Sequence, residues 1–164
     1  MTLALLMEVL HVLSVFWFVG GLLGRAVAQA QARRSRDIRE VDAFLAIASH
    51  FERAIVRPGS LVLLAGGLVT AFLKGWPVLG GLQGGEVDWL FASLLIFATP
   101  FMLVPLVFIP RGRVFRVALE DARAQGRVTP ELTAALGDRT VALGHAWEWI
   151  AVVAITALMV AKPF

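Results

Sequence analysis

The chain is short, apolar and mildly basic. It has 164 residues, of which 59% are hydrophobic, with a net charge of +3 and no cysteine. Soluble domains are nearer to about 45–50% apolar, so the composition disfavours an ordinary soluble domain and predicts one integral membrane domain over residues 1–164. The missing cysteine excludes a disulfide, a thiolate metal site and a cysteine nucleophile.

The first apolar run, residues 3–24, is long enough to cross a bilayer, yet it carries two ionisable residues. Glu8 and His11 lie three residues apart, so a helix places both on one face. An ionisable residue inside a span is costly and marks a candidate functional site. The run continues with residues suited to close packing of another helix or of a flat ring: Trp17, Gly20, Gly21 and Gly24.

Three more apolar segments have about the 20 residues that a membrane-spanning helix needs. They lie at about 55–73, 89–109 and 141–161. The sequence therefore predicts an all-α protein, a bundle of four transmembrane helices. Three prolines interrupt the third span, and Thr99 and neighbouring helices are expected to satisfy the carbonyls that these prolines leave free: Pro100, Pro105 and Pro110.

Basic residues are distributed unevenly over the connections. Seven arginines lie between the first span and the start of the second, and six lie between the third and the fourth. Because basic residues are retained in the cytoplasm, both termini are predicted to face out across a bacterial inner membrane. The same bias explains the positive charge without a nucleic-acid partner. The bilayer is the expected partner, with a homodimer or a larger membrane complex as a further hypothesis.

The cytoplasmic connections are predicted to extend the helices. Apolar residues recur at helical spacing from about Arg36 into the second span, and span three continues past residue 109 until Gly126 ends it. Thr129 and Pro130 are typical of a helix start, and a bend is expected near Gly137.

Each of the three histidines has an acidic neighbour: Glu8 with His11, His50 with Glu52, and His145 with Glu148. Histidine and carboxylate bind transition metals, histidine binds haem iron, and such pairs also form proton relays. His11, His50 and His145 are therefore candidate metal ligands. Glu148 and Arg57 are candidates for a polar relay.

Depth in the membrane separates these candidates. At a rise of about 1.5 Å per residue, His11 lies about 12 Å below the outer end of its span, and His145 about 6 Å above the inner end of its own. In a core about 30 Å thick the two differ by about 12 Å in depth. One haem iron cannot bind both without a large change of register, so His50 and His145 are the better pair for a shared site.

Structural roles remain open for every candidate. His50 could simply be solvated where its helix leaves the membrane, and His145 could belong to an interfacial belt with Trp147 and Trp149. Glu8 and His11 could form a buried hydrogen bond between helices. Arg57, before Pro58, could anchor and bend the entry to span two.

The N-terminal pattern H-x5-W-x2-G-G, formed by His11, Trp17, Gly20 and Gly21, resembles small bacterial four-helix membrane families. These are the HemJ-type protoporphyrinogen oxidases, the membrane domain of copper-resistance D proteins, and a family of integral membrane proteins of unknown function, which is closest in length and layout. The resemblance continues in residues 51–53, 57–59 and 89–90.

The resemblance implies a b-type haem on the histidine of the first helix, which is His11 here. HemJ-type enzymes also carry a lysine shortly after the tryptophan of span three, and residues 89–94 contain none. That departure argues against protoporphyrinogen oxidation and leaves haem binding open. The copper-resistance likeness implies copper handling, which the absence of cysteine and the few methionines disfavour.

These observations lead to three hypotheses. The first is a haem-b-binding membrane protein with a redox or porphyrin-handling role, whose cofactor site contains His11, Glu8, Trp17 and Gly21. The second is a non-enzymatic accessory or scaffold subunit in which Glu8 and His11 fix helix packing. The third is a metal or proton transporter.

Overall fold

The computed structural model describes residues 2–82 and 88–163, and these residues form long helices joined by short turns. Four helical stretches are long and apolar enough to cross a membrane: Leu3–Arg34, Ile38–Leu73, Trp89–Gln125 and Pro130–Ala161. This confirms the prediction of four candidate spans in an all-α protein. The chain divides into two compact units, the first ending at Trp76 and the second beginning at Pro77.

The first unit is a helical hairpin. Helix α1, Leu3–Arg34, starts where the Thr2 side chain accepts a hydrogen bond from the Leu5 N–H, and it continues ten residues beyond the predicted span. Helix α2, Ile38–Phe51, is capped by Asp37. It runs through a π-helical turn, Glu52–Val56, into helix α3, Arg57–Leu73. The helix predicted to begin near Arg36 is therefore observed from Ile38, and its cytoplasmic location stays a prediction.

Pro58 explains the wide turn between α2 and α3. A proline has no N–H to donate, and its ring collides with the carbonyl four residues earlier in a regular helix. In the π-helical turn the Arg57 N–H instead donates to the carbonyl of Glu52, five residues earlier. The wider turn lets the helix pass Pro58 without ending, so α2 and α3 form one stretch of 36 residues.

Helix α1 packs along α2, the π-helical turn and α3 through small residues. A Cβ atom on Gly21 would lie 2.6 Å from Cγ2 of Ile55, and one on Gly24 would overlap the ring of Phe51. Ala28 and Ala32 are buried further along the same helix. Small side chains let the two backbones approach closely, which is how membrane helices gain packing energy without a hydrophobic driving force.

The second unit contains helix α4, Trp89–Leu103, and a second π-helical turn, Val104–Phe108. Helix α5 follows at Ile109–Gln125, a short helix α6 at Pro130–Leu136, and helix α7 at Arg139–Ala161. Helix α4 packs along α7. A short 3-10 turn, Gly80–Leu82, precedes α4. The glycine-rich segment 75–85 lies partly outside the described residues, which omit positions 83–87.

The predicted helix boundaries of the second unit are confirmed. Gly126 ends α5 with φ +66°, a conformation that glycine adopts at little cost. Thr129 caps α6, and its side chain accepts a hydrogen bond from the Leu132 N–H. Gly137 then interrupts the helix, and Asp138 caps α7 through the N–H groups of Thr140 and Val141.

Thr99 repairs the first of the three proline interruptions. Pro100 cannot donate to the carbonyl of Ile96, and the Thr99 hydroxyl donates to that carbonyl over 2.7 Å. The same hydroxyl oxygen accepts a hydrogen bond from Nε1 of Trp147 on α7, also over 2.7 Å. The hydroxyl predicted to satisfy a freed carbonyl therefore also joins α4 to α7.

We expect Thr99→Val to destabilise the second unit by about 1–2 kcal/mol, because valine keeps the shape and removes both hydrogen bonds. Trp147→Phe removes only the bond between helices and should cost less than Thr99→Val. Unfolding in mixed micelles, followed by circular dichroism, measures both changes. Equal losses in the two variants would show that the hydrogen bond from the Thr99 hydroxyl to the Ile96 carbonyl does not contribute to stability.

Candidate functional site

An open apolar groove of about 490 Å³ lies along α1 and α3 within the first unit. It is lined by Met7, Leu10, His11, Leu13, Ser14, Trp17, Val62, Ala65, Gly66 and Val69. Two of the predicted cofactor residues, His11 and Trp17, are therefore on one wall of the groove. Polar atoms contribute little to that lining, so the histidine ring is the main chemically reactive group in it.

His11 makes one hydrogen bond through its ring, to the facing helix, and one through its backbone carbonyl, to a residue of its own helix. Its Nδ1 lies 3.0 Å from the carbonyl oxygen of Leu63 on α3. Since a carbonyl only accepts, Nδ1 carries the proton, and in the neutral ring the lone pair is on Nε2. The Ser14 hydroxyl donates to the carbonyl of His11 over 2.6 Å. The imidazole is thus fixed in the tautomer that a metal ligand bonded through Nε2 requires.

Gly67 makes the contact between His11 and Leu63 possible. The Gly67 N–H is the regular helical partner of the Leu63 carbonyl, so a side chain at position 67 would stand beside the incoming ring. A Cβ atom there would lie 2.9 Å from Cε1 of His11. At Gly66 the nearest atoms of His11 would be 3.7 Å from a Cβ, which is ordinary contact. The glycine pair in the second span therefore accommodates this ring.

Glu8 pairs with Lys74, a residue that is distant from it in the sequence. Its Oε2 lies 2.7 Å from Nζ of Lys74 at the end of α3, and that nitrogen lies 4.9 Å from the ring centroid of Trp76. The Glu8 and Lys74 side chains are 40% and 26% exposed. This pair could have been predicted from the sequence. Two neighbouring antiparallel spans place the start of the first and the end of the second at the same depth in the membrane.

Gly21 lies in the packing contact with Ile55 and Val56, and among the described residues it does not contribute to the groove wall. That contact explains a glycine at position 21 in structural terms. Trp17 lines the groove and is 44% exposed. Whether either residue touches a cofactor stays a prediction.

Glu52 pairs with two arginines. Its Oε2 lies 2.7 Å from Nη1 of Arg25, and its Oε1 lies 3.2 Å from Nε of Arg57. Arg25 is 7% exposed and joins α1 to the π-helical turn. His50, the sequence neighbour of Glu52, is exposed on α2. Spacing along the chain associates Glu52 with His50, because local spacing does not show contacts between helices.

His145 and Glu148 form the expected contact on α7, in the second unit. Nδ1 of His145 lies 3.0 Å from Oε2 of Glu148, and both side chains are largely buried. The ring of His145 stacks on Phe108 with centroids 4.9 Å apart. Gly144 permits this arrangement, since a Cβ there would lie 3.0 Å from the Phe108 ring. The site that His145 was predicted to share with His50 stays a prediction.

Within residues 2–82 and 88–163 there is no group of three or more histidine, aspartate or glutamate side chains that could together hold a metal ion. The candidate ligands are therefore described singly. In the first unit the candidate is His11, with its oriented ring beside an apolar groove.

Comparison with known proteins supports the membrane assignment. A family model described as a predicted integral membrane protein matches residues 5–163. No curated protein and no solved structure matched the chain. Because the match covers nearly the whole sequence and four helices are long and apolar enough to span a membrane, the chain belongs to this family of predicted integral membrane proteins, DUF2269.

Proposed function

We propose that this membrane protein binds haem b, that Nε2 of His11 would hold the haem iron, and that the protein has a redox or porphyrin-handling role. The observation that carries the proposal is the hydrogen bond from Nδ1 of His11 to the Leu63 carbonyl. Ligating histidines usually donate their other ring N–H to a carbonyl or carboxylate, which fixes the ring and raises its basicity.

The residues along α1 and α3 suit this group. The groove beside His11 is apolar, as the faces of a porphyrin require, and Trp17 offers an aromatic surface on the same wall. Bound haem would supply one-electron chemistry, and the apolar lining would limit the access of water to it. The similarity of the His11 motif to that of the HemJ-type oxidases also supports the proposal.

The test is a reduced-minus-oxidised absorption spectrum of the protein purified in mild detergent, before and after addition of haem. We expect a b-type Soret band in the wild type and its loss in His11→Ala. The exposed His50 provides the matched control, so His50→Ala should retain the band. A wild type without a band after haem addition, or loss of the band in His50→Ala alone, would refute the proposed ligand.

A scaffold or accessory subunit is the second candidate function. Its support is that both ionisable residues of the first span already bond within the hairpin, Glu8 with Lys74 and His11 with Leu63. On this hypothesis the polar groups fix helix packing, and a homodimer or larger complex carries the activity. Replacing Glu8 and His11 together should then lower the stability of the hairpin and weaken partner association to a similar extent. Adding haem should cause no spectral change in the wild type.

We further infer a bacterial cytoplasmic membrane with both termini outside. The support is the concentration of arginines from residue 25 to residue 57 and between the third and fourth spans. Cysteines introduced singly at Ser35 and Thr2 would react with an impermeant thiol reagent from opposite sides. Reaction of position 35 from outside the cell would reverse the orientation.

A further inference from the structure

Arg25, Glu52 and Arg57 form a cluster of charged side chains in the first unit. One carboxylate serves two guanidinium groups, with Arg25 on Oε2 at 2.7 Å and Arg57 on Oε1 at 3.2 Å. Arg25 is 7% exposed and takes the shorter contact, so the carboxylate compensates mainly the buried cation. Arg57 is the outer member, and its longer contact with Glu52 leaves its positive charge less compensated.

The contact with Glu52 leaves the recognition edge of Arg57 available. Arg57 uses Nε for this contact, and its side chain is 69% exposed, so within the described part of the chain both Nη groups can still donate. A guanidinium held from one side and open on the other is suited to bidentate recognition of a phosphate. Arg53, four residues earlier, is also exposed, and its Nε donates to the Ser49 carbonyl.

The position of Arg57 favours a lipid phosphate over a free one. Arg57 begins α3, and the apolar part of the second span follows it directly. Leu61 and Val62, one turn further into the span, are 62% and 47% exposed. An arginine at the edge of an apolar helical surface lies at the level of lipid headgroups, with acyl chains beside the exposed leucine and valine.

We propose that Arg57, assisted by Arg53, binds the phosphodiester of an anionic phospholipid at the basic end of the first hairpin. Glu52 positions the Arg57 guanidinium through Nε and directs its Nη groups away from the cluster. Arg25 balances the Glu52 charge, so that an anion at Arg57 meets little repulsion. The ligand class is a phosphatidylglycerol-type lipid with one net negative charge.

Native mass spectrometry of the full chain in neutral detergent tests this, with phosphatidylglycerol and phosphatidylcholine added at equal concentration. We expect Arg57→Gln to reduce phosphatidylglycerol adducts about fivefold, the effect of about one basic residue at an anionic surface. Arg113→Gln is the matched control, since Arg113 is also an exposed arginine close to an apolar segment but lies in the second unit. It should leave the adducts unchanged.

Two further arms separate the alternatives. Arg57→Lys keeps the positive charge and removes the two parallel N–H donors of the guanidinium. An intermediate loss of phosphatidylglycerol adducts supports bidentate recognition, and unchanged binding overturns it. Glycerol phosphate added in excess should not displace the lipid, and displacement would identify a site for free phosphate instead. Equal losses in Arg57→Gln and Arg113→Gln would reduce the effect to general surface charge and overturn the proposed site. Circular dichroism confirms that each variant is folded.

Discussion

Replacing Gly21 with alanine is expected to destabilise the first unit by about 1–3 kcal/mol, the usual cost of overpacking a well-filled contact. The new Cβ would lie 2.6 Å from Cγ2 of Ile55 and 3.1 Å from Cγ2 of Val56. Both neighbours are β-branched, so their side chains have little rotamer freedom to withdraw. The helices themselves must separate, and the contacts along α1 weaken together.

Gly20 provides the matched control for this prediction. A Cβ at position 20 has no described atom within 4 Å, and alanine is the better helix former by up to about 1 kcal/mol. Gly20→Ala should therefore be neutral or stabilising, one residue away from a damaging change. Reversible unfolding in mixed micelles measures both. If the two variants lose the same stability, the close approach of α1 to the π-helical turn is not what requires glycine at position 21.

The long helices could be predicted from the sequence because their signals are local. An apolar run of about 20 residues identifies a span whatever its neighbours are. The break at Gly126 and the cap at Thr129 depend on the conformational freedom of glycine and on a hydroxyl within reach of a nearby N–H. Such signals lie within a few residues of one another, and the structure bears them out.

The partners of the ionisable residues could not be predicted in the same way. Spacing associates Glu8 with His11, and the structure adds Lys74 as a partner of Glu8 and the Leu63 carbonyl as a partner of His11. Those contacts depend on the register between α1 and α3. Gly67 allows the His11 ring to reach the facing backbone. The local sequence does not predict that His11 and Gly67 will face each other across the two helices.

The candidate site was therefore predicted in part. His11 and Trp17 were selected, and both lie on the groove. Gly21 was selected because glycines favour close approach, and that physical reason holds, although the neighbour in the structure is a protein helix. The role of Glu52 was missed, because Arg25 comes from another helix and Arg57 lies five residues along the chain, outside the i,i+3 and i,i+4 spacings of a regular helix.

Glu52→Gln is expected to cost about 2–3 kcal/mol in the free energy of unfolding, more than Arg25→Met does. Removing one member of a buried ion pair costs about 3–5 kcal/mol when the other charge stays buried. The side chain of Glu52 is 30% exposed and that of Arg25 is 8% exposed, so solvent reduces the expected cost for this pair. After Glu52→Gln, the buried guanidinium loses its carboxylate.

Arg25→Met leaves the less buried charge instead. Glu52 keeps Arg57 at 3.2 Å, and methionine replaces the apolar stem of the arginine, so we expect a loss of about 1 kcal/mol. The double variant Arg25→Met, Glu52→Gln should be more stable than Glu52→Gln alone, because the buried guanidinium that loses the Glu52 carboxylate is then removed as well. A double-mutant cycle measured by unfolding in mixed micelles gives the coupling, expected at about 1–2 kcal/mol. If the two single losses simply add, the buried ion pair does not stabilise the hairpin. A larger loss in Glu52→Gln than in Arg25→Met must then have another cause.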